Sequence, residues 1–176
     1  MKSVLSGRQQ SRSARAARAA PSSDVAQFAV LKLGTEVYAL DIMRIRGIIK
    51  PVRITPVPKA PPFIEGVIEL RGAILPMLDM RKRFDLEAPG PTRATRYVLV
   101  SLEGRIMGMI VDGVVEVIRI PRVELKPTPA MAVGEAARYF SGVCHHQDRL
   151  IMVIDIDEIL SSSEKISLSG IGSVTG

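Results

Sequence analysis

"FAVLKLGTEVYALDIMRIRGII" (residues 28–49) recurs later in the chain as "YVLVSLEGRIMGMIVDGVVEVI" (residues 97–118). At a constant offset of 69 residues apolar positions fall on apolar positions, for example Ile45 on Val114. Each copy consists of short runs rich in Val, Ile, Leu and Tyr between Gly and Asp turns, which is typical of β-strands. A repeat of this length predicts two similar units built from the same set of strands.

The repeat continues further along the chain. "ILPMLD" (residues 74–79) matches "LIMVID" (residues 150–155) at an offset of 76, and Gly66 matches Gly142 at the same offset. Twelve prolines fall largely in the connections. We therefore predict an all-β protein with a few short helices, built from small barrels. The predicted parts are a disordered basic N-terminal arm (1–24), a domain (25–160) with subdomains of about 27–88 and 95–160, and a Ser/Gly-rich C-terminal tail (161–176). An exchange of final strands between the subdomains is left open.

Length and composition bound the class of protein. The chain has 176 residues, of which 47% are apolar, and this suffices for one domain or two small ones. No apolar run approaches the roughly 18 residues of a spanning helix, and residues 1–24 lack the apolar stretch of a secretory signal. A single cysteine, Cys144, excludes an internal disulfide framework. We expect a soluble, cytoplasmic protein.

The net charge of +6 lies almost entirely at one end of the chain. Residues 1–23 contain five basic side chains and no acidic one, whereas the rest contains 19 basic and 18 acidic side chains. The nearly neutral body also contains no Trp and few other aromatic residues. A nucleic-acid-binding barrel needs a basic face with aromatic residues, so the sequence predicts no nucleic-acid partner.

The sequence offers little for catalysis or metal binding. Its two histidines are adjacent in "CHHQD" (residues 144–148), where alternation along a strand separates Cys144 and His146 from His145. No phosphate-binding loop or nucleophile elbow is present in the sequence. Four aspartates recur at strand ends, where turn or cap roles are expected, namely Asp41, Asp79, Asp112 and Asp155. We expect no enzymatic activity, no cofactor and no metal.

Arg71 interrupts an otherwise apolar run, "GVIELRGAILPMLDMRKRF" (residues 66–84). Its counterpart in the second copy is Gln147, so this part of the fold can be built without an arginine. One interpretation is structural, with Arg71 paired to Glu69 on the same strand face. The other is that Arg71 serves binding.

Several segments resemble the CheW family of bacterial chemotaxis adaptors, over about residues 27–160. The most specific are "FIEGVIELRG" (63–72) and "ILPMLDMR" (74–81), close to the family's F-I-x-G-V-x-N-L-R-G and I-x-P-[IV]-x-[DN]-L-R. The resemblance implies two five-stranded β-barrel subdomains packed on each other. It also implies a non-enzymatic scaffold that couples the cytoplasmic tip of a methyl-accepting chemoreceptor to a CheA-type histidine kinase. Contact with a membrane is then only indirect, through receptor arrays.

The resemblance also assigns binding residues. A receptor-binding surface between the subdomains is implied for Leu31, Ile42, Ile45, Ile48, Gly66, Arg71 and Val114. A kinase contact is implied for Ile54 and Ile74, and a second, ring-forming contact for Lys126 and Met131.

Two departures from the family pattern bear on Arg71. Gly47 stands where the family has a glutamate that is expected to pair with this arginine, and Glu69 stands where the family has asparagine. We therefore expect a rewired ion pair between Glu69 and Arg71. Alternative functions are a scaffold of a non-swimming chemosensory pathway, for surface motility or another output, or a basic-tailed nucleic-acid-binding barrel.

Overall fold

The computed structural model describes residues 24–129 and 135–171 and shows two five-stranded sheets. Sheet A has the strand order β8-β1-β2-β10-β9, and sheet B has the order β3-β6-β7-β5-β4. The strands are β1 (Val25–Leu33), β2 (Glu36–Asp41), β3 (Ile45–Ile49), β4 (Ile64–Leu70), β5 (Ala73–Asp79), β6 (Arg96–Leu102), β7 (Arg105–Val111), β8 (Gly113–Pro121), β9 (Phe140–His146) and β10 (Arg149–Ile154). The all-β prediction is confirmed.

The two sheets obey one plan. When β1–β5 are replaced by their repeat partners β6–β10, the order of sheet B becomes the order of sheet A. Even the bulges correspond, because Arg46 in β3 and Val115 in β8 are the extra residues and lie 69 positions apart. The duplication predicted from the sequence is therefore present in three dimensions.

The sheets do not coincide with the halves of the chain. Sheet A combines β1 and β2 with β8–β10, and sheet B combines β3–β5 with β6 and β7. Each sheet is completed by a parallel pair between halves, β10 with β2 in sheet A and β5 with β7 in sheet B. The exchange thus involves far more than the final strands, so segments 27–88 and 95–160 do not each form one sheet.

The sheets are not closed barrels, which corrects the closure expected from the sequence. A single bridge joins the two ends of each sheet, Thr55 with Val67 in sheet B and Lys126 with Val143 in sheet A. Each bridge consists of two backbone hydrogen bonds of 2.8 and 2.9 Å. Each sheet has the strand order of a barrel. Its two edges are linked by one residue pair rather than by a continuous ladder of hydrogen bonds, among the described residues.

Both faces of the central strands are buried, which explains their almost continuous apolar runs. Along β1, Phe28 and Val30 point into a cluster inside sheet A, whereas Leu31 and Leu33 point toward sheet B. The cluster between the sheets takes residues from both, and a third cluster around Met77 lies inside sheet B. The core therefore has three apolar layers.

In the part of the chain that the structure describes, two α-helices flank the sheets, α1 (Met80–Arg83) and α2 (Ser162–Ile171). Short 3-10 helices cover Ile42–Arg44, Arg122–Glu124, Glu135–Tyr139 and Ile156–Glu158. Residues 162–171 of the predicted Ser/Gly-rich tail form α2, which buries Leu168 against the core between the sheets. Residues 1–23 of the predicted arm, and residues 172–176, lie outside the described residues. In the described part of the chain, no helix combines the length and apolarity needed to cross a bilayer.

Candidate functional site

A shallow apolar strip lies along the junction of the two sheets. Ile45 pairs with Val100, and Leu31 with Val114, so two equivalent pairs occupy the two bulged strand junctions. The side chains of Ile45 and Val114 are half-buried and pack on the cluster between the sheets. Ile42, in the 3-10 helix that follows β2, packs on the same cluster. The structure thus brings together three of the predicted receptor-binding residues.

The strip extends outward to a second pair of repeat partners. Ile48 on β3 is 44% exposed, and Val117, its partner at the offset of 69, is 59% exposed on β8. Ile48 lies opposite Val98, and Val117 lies opposite Ala29, and both of these buried residues belong to the cluster between the sheets. Sequence reasoning missed Val117, although the repeat offset points from Ile48 to it. We refer to Ile42, Ile45, Ile48, Val114 and Val117 as the junction strip.

Leu31 is not available to a partner. Its side chain is 0% exposed and lies in the middle of the cluster between the sheets. The prediction of a direct receptor contact is therefore wrong for Leu31, because β1 lies between β8 and β2 in sheet A and the side chain faces the cluster between the sheets. It supports the strip from beneath.

Gly66 has a structural requirement of its own. A Cβ at this position would lie 2.1 Å from the carbonyl oxygen of Thr55, and the backbone φ is +145°. Its repeat partner Gly142 is constrained by space alone, since a Cβ there would lie 2.5 Å from the Lys126 oxygen. Both glycines precede the residue that makes the closing bridge, so their absent side chains admit the closing segment. The receptor role of Gly66 stays a prediction.

Arg71 and Glu69 form no ion pair. Arg71 is the first residue of the two-residue turn between β4 and β5, with φ +51°, and Gly72 follows with φ +81°. Strand alternation therefore ends at Leu70, and the expectation that Glu69 and Arg71 share a strand face is wrong. Both side chains are exposed, and neither makes a hydrogen bond or ion pair with the described residues.

The repeat clarifies the position of Arg71. The corresponding turn between β9 and β10 has φ +49° at Gln147 and +60° at Asp148. Both hairpins therefore use a two-residue turn with positive φ at both positions. The twist of such a turn matches the twist of the two strands that it joins. The turn itself selects neither arginine nor glutamine, so the guanidinium of Arg71 is free for another purpose.

The predicted kinase-contact residues lie on both sheets. Ile74 of β5 lines a groove of about 560 Å³ between the first residues of β5, the turn between β6 and β7, and α2. Ile54, next to the bridge residue Thr55, packs partly against the cluster inside sheet B. Lys126 is exposed and forms the equivalent bridge of sheet A. Met131 lies outside the described residues.

Two groups of ion pairs lie beside the junction. Arg81 binds both carboxylate oxygens of Asp79 at 3.0 Å and donates to Asp112 at 2.9 Å. Arg44 binds both oxygens of Asp157, at 2.6 and 3.1 Å. The hydrogen bond from Arg44 is the main reason that the pKa of the Asp157 carboxyl lies below its usual value. These contacts fix the corners at which the sheets meet.

The predicted roles of the four aspartates are confirmed. Asp41, Asp79 and Asp155 each accept a hydrogen bond from a backbone N–H two residues further on, and Asp112 accepts one from Gly34. These carboxylates therefore act as turn and helix caps. Cys144 is buried, and burial raises the pKa of its thiol. Among the described residues, no group of three or more His, Cys, Asp or Glu side chains could hold a metal ion.

Comparison with known proteins agrees with this architecture. Residues 27–164 match the CheW-like domain family. The chain belongs to this family. It is 32% identical over 138 residues to the chemotaxis protein CheW of Klebsiella aerogenes, covering 78% of this chain and 83% of that protein. The crystal structure of the scaffolding protein TtCheW from Thermoanaerobacter tengcongensis aligns with a TM-score of 0.74 and 33% identity, over 79% of this chain and 94% of TtCheW. Protein FrzA of Myxococcus xanthus is 28% identical over 128 residues, covering 73% of this chain and 78% of FrzA.

The CheW-like match ends at residue 164, inside α2. It therefore includes both sheets, the junction strip and the closing bridges, but not Leu168, which docks the helix.

Proposed function

We propose that this protein is a chemotaxis-type signalling adaptor without catalytic activity, which couples the cytoplasmic tips of chemoreceptors to a CheA-type histidine kinase. The observation that carries the proposal is a match to CheW proteins that spans both sheets, in sequence and in three dimensions. The adaptor acts in the cytoplasm and is recruited to receptor arrays. It reaches the membrane only through the receptors.

The junction strip is the proposed receptor-binding surface. Its members are apolar, half-buried or exposed, and both halves of the chain contribute. A shallow apolar strip of this kind suits the apolar face of a helix, in the way that many grooves bind amphipathic helices. The tip of a chemoreceptor, a helical hairpin, would present such a face. Arg71 is proposed to add a charged contact, because its side chain is exposed and unpaired among the described residues.

The proposed kinase contacts lie away from the strip. Ile54 and Ile74 belong to sheet B, and Lys126 belongs to the closing segment of sheet A. Since Ile54 and Lys126 lie at equivalent closing bridges, the molecule offers two related surfaces on different sheets. Two such surfaces suit an adaptor that contacts two neighbours in a ring, with Met131 expected to join the second.

A scaffold of a non-swimming chemosensory pathway is the second candidate. The similarity to FrzA of Myxococcus xanthus is compatible with it. Both candidates use the same fold and the same surfaces. They differ in the receptors and kinase with which the adaptor assembles.

The test is reconstitution of receptor arrays from membranes, a CheA-type kinase and receptors of the same organism. We expect autophosphorylation of the kinase to depend on the added adaptor and to rise with its concentration to a plateau. Arrays that are fully active without it would contradict the proposal. Replacing the receptors and kinase with those of each chemosensory system in that organism, in turn, distinguishes the two candidates.

A further inference from the structure

The exchange of strands raises the question of what makes unlike halves pair. The first half comprises β1–β5 and α1, and the second comprises β6–β10 and the 3-10 helix Ile156–Glu158. Apolar contacts at the junction scarcely distinguish the halves, since Leu31 on Val114 and Val100 on Ile45 are equivalent pairs. Two chains could therefore associate by pairing first half with first half and second half with second half, because the apolar contacts of the two halves are equivalent.

Charge distinguishes the halves. The ion pair between Arg81 and Asp112 and the ion pair between Arg44 and Asp157 both join a base of the first half to an acid of the second. Arg81 and Asp157 are repeat partners at the offset of 76, and the partner position of Asp112 is adjacent to Arg44. Pairing of two first halves would therefore replace both of these acids by bringing Arg44 against Arg81. Arg81 would then keep only the Asp79 of its own half as an acidic partner. Pairing of two second halves would bring Asp112 against Asp157.

Side-chain size distinguishes them as well. Where β5 meets β7, Met77 lies on Gly108, and a Cβ on that glycine would come within 2.3 Å of the Met77 sulfur. The equivalent contact, where β10 meets β2, is Val153 on Ala39. Pairing of two first halves would force the end of the Met77 side chain to move away from Ala39, whereas pairing of two second halves would leave a void between Val153 and Gly108. Overpacking and cavities both destabilise a core.

We infer that these two ion pairs and the contact of Met77 with Gly108 make a first half pair with a second half and oppose the pairing of two like halves from separate copies. The apolar repeat supplies the stability of the junction, and the charged and size-matched positions supply its selectivity. This device is independent of which receptor or kinase the protein serves.

The first test exchanges one ion pair in place. The double variant Arg44→Asp with Asp157→Arg keeps the attraction between positions 44 and 157. Each half then carries one acidic and one basic side chain at the junction, so two like halves attract instead of repelling each other. Protein unfolded in denaturant is refolded at several concentrations and analysed by size-exclusion chromatography with light scattering. We expect the dimer-to-monomer equilibrium constant to rise about tenfold over that of the unmodified protein, because several like-charge contacts become attractive. The dimers should persist on dilution, since like halves paired between copies separate only by unfolding.

The matched control is Glu65→Lys combined with Lys82→Glu. This surface ion pair lies wholly within the first half, so its reversal leaves the charge pattern between halves unchanged. A second variant, Met77→Val with Gly108→Ala, copies the residues of the sheet A contact into sheet B and removes the size difference. This variant should also raise the dimer fraction. If the charge variant does not fold, the inference is tested by this variant alone. Dimer fractions equal to the control in every variant that folds would overturn the inference.

Discussion

Arg71 shows how a single residue can be misread from an apolar context. Its neighbours in sequence are strand residues, but a left-handed turn sets it apart from both strands. A non-glycine residue at positive φ is disfavoured, so Arg71 and Gln147 are each tolerated at a small conformational cost. The β4–β5 and β9–β10 hairpins can therefore be compared directly. Their turn residues Arg71 and Gln147 have similar backbone strain but different side chains.

This pair gives a prediction for receptor binding. The substitutions Arg71→Gly and Gln147→Gly each relieve backbone strain in the folded turn, but they also increase the conformational entropy of the unfolded chain. Because these effects oppose each other, the free energy of unfolding of each variant should stay within about 1 kcal/mol of that of the unmodified protein. If the guanidinium contacts the receptor, only Arg71→Gly should weaken binding, by about tenfold or more. Titration of a soluble receptor-tip fragment and denaturant unfolding provide the two measurements. Equal affinities for the two variants would remove Arg71 from the receptor site.

Helix α2 illustrates a local signal that was present in the sequence. Ser161 and Glu164 form a reciprocal cap, with the backbone N–H of Ser161 donating to Glu164 at 2.7 Å and the Glu164 N–H donating to Ser161 Oγ at 3.2 Å. The spacing S-x-x-E is a known start signal for helices. The four serines and the glycine of α2 favour helix poorly, and this composition suggested a tail. Tertiary contacts decide the outcome, because Arg83 binds both oxygens of Glu164 at 2.8 and 2.9 Å.

This contact makes the docking of α2 dependent on pH. Burial alone would raise the pKa of the Glu164 carboxyl, but hydrogen bonds from Arg83 and Ser161 outweigh it, so its pKa lies below the usual value. A lowered carboxyl pKa stabilises the folded state above the unfolded pKa, and this stabilisation is lost as the pH falls through the folded pKa. Glu164→Gln keeps the cap but loses the charge. At neutral pH it should weaken the docking of α2 by about 1–3 kcal/mol.

Amide hydrogen exchange across residues 162–171 measures this effect. The original protein should be more protected than Glu164→Gln at pH 7 and should approach it under acid conditions, below the usual range for glutamate. Glu158→Gln is the control, because Glu158 is exposed and makes no ion pair among the described residues. Equal protection of α2 in the Glu164 and Glu158 variants at pH 7 would show that the Arg83 contact does not hold the helix.

At the scale of the whole molecule, the junction strip exists only because the halves are interlocked. Ile45 and Ile48 come from the first half, and Val114 and Val117 come from the second. Neither half could form the strip alone, since β3 pairs with β6 and β8 pairs with β1. A receptor that binds to the junction strip therefore contacts both halves of the chain.

Matched substitutions on the two walls test this arrangement. Ile48→Asp and Val117→Asp should each weaken receptor-tip binding by about tenfold or more, because each places a charge in an apolar contact. Thermal unfolding should change little, since the two side chains are already 44% and 59% exposed. Val123→Asp is the control, because Val123 is 79% exposed in the 3-10 helix Arg122–Glu124, away from the strip. If the Val117→Asp variant binds the receptor tip as well as the control does, while the Ile48→Asp variant does not, the receptor contacts only the junction-strip residues of the first half.

The sequence by itself determined the strands, the duplication, the capping aspartates and the family. These features follow from local chemistry: alternation and β-branched residues define strands, and Gly and Asp mark their ends. It also located Ile45 and Val114 as equivalent positions, because the repeat offset links them. Such information survives in a linear sequence because it lies in the types of residue and in their spacing, which can be read without knowing which strands pair.

Only the tertiary structure decided which strands pair, and therefore which residues reach the surface. Because the copies share one apolar pattern, that pattern fits pairing within halves and between halves equally well, and contacts distant in sequence make the choice. Leu31 is consequently buried in the cluster between the sheets, and Gly66 is required by the approach of Thr55. Arg71 lies in a turn apart from Glu69, and α2 docks through Arg83. Each outcome depends on packing between segments far apart in the chain, which no local pattern specifies.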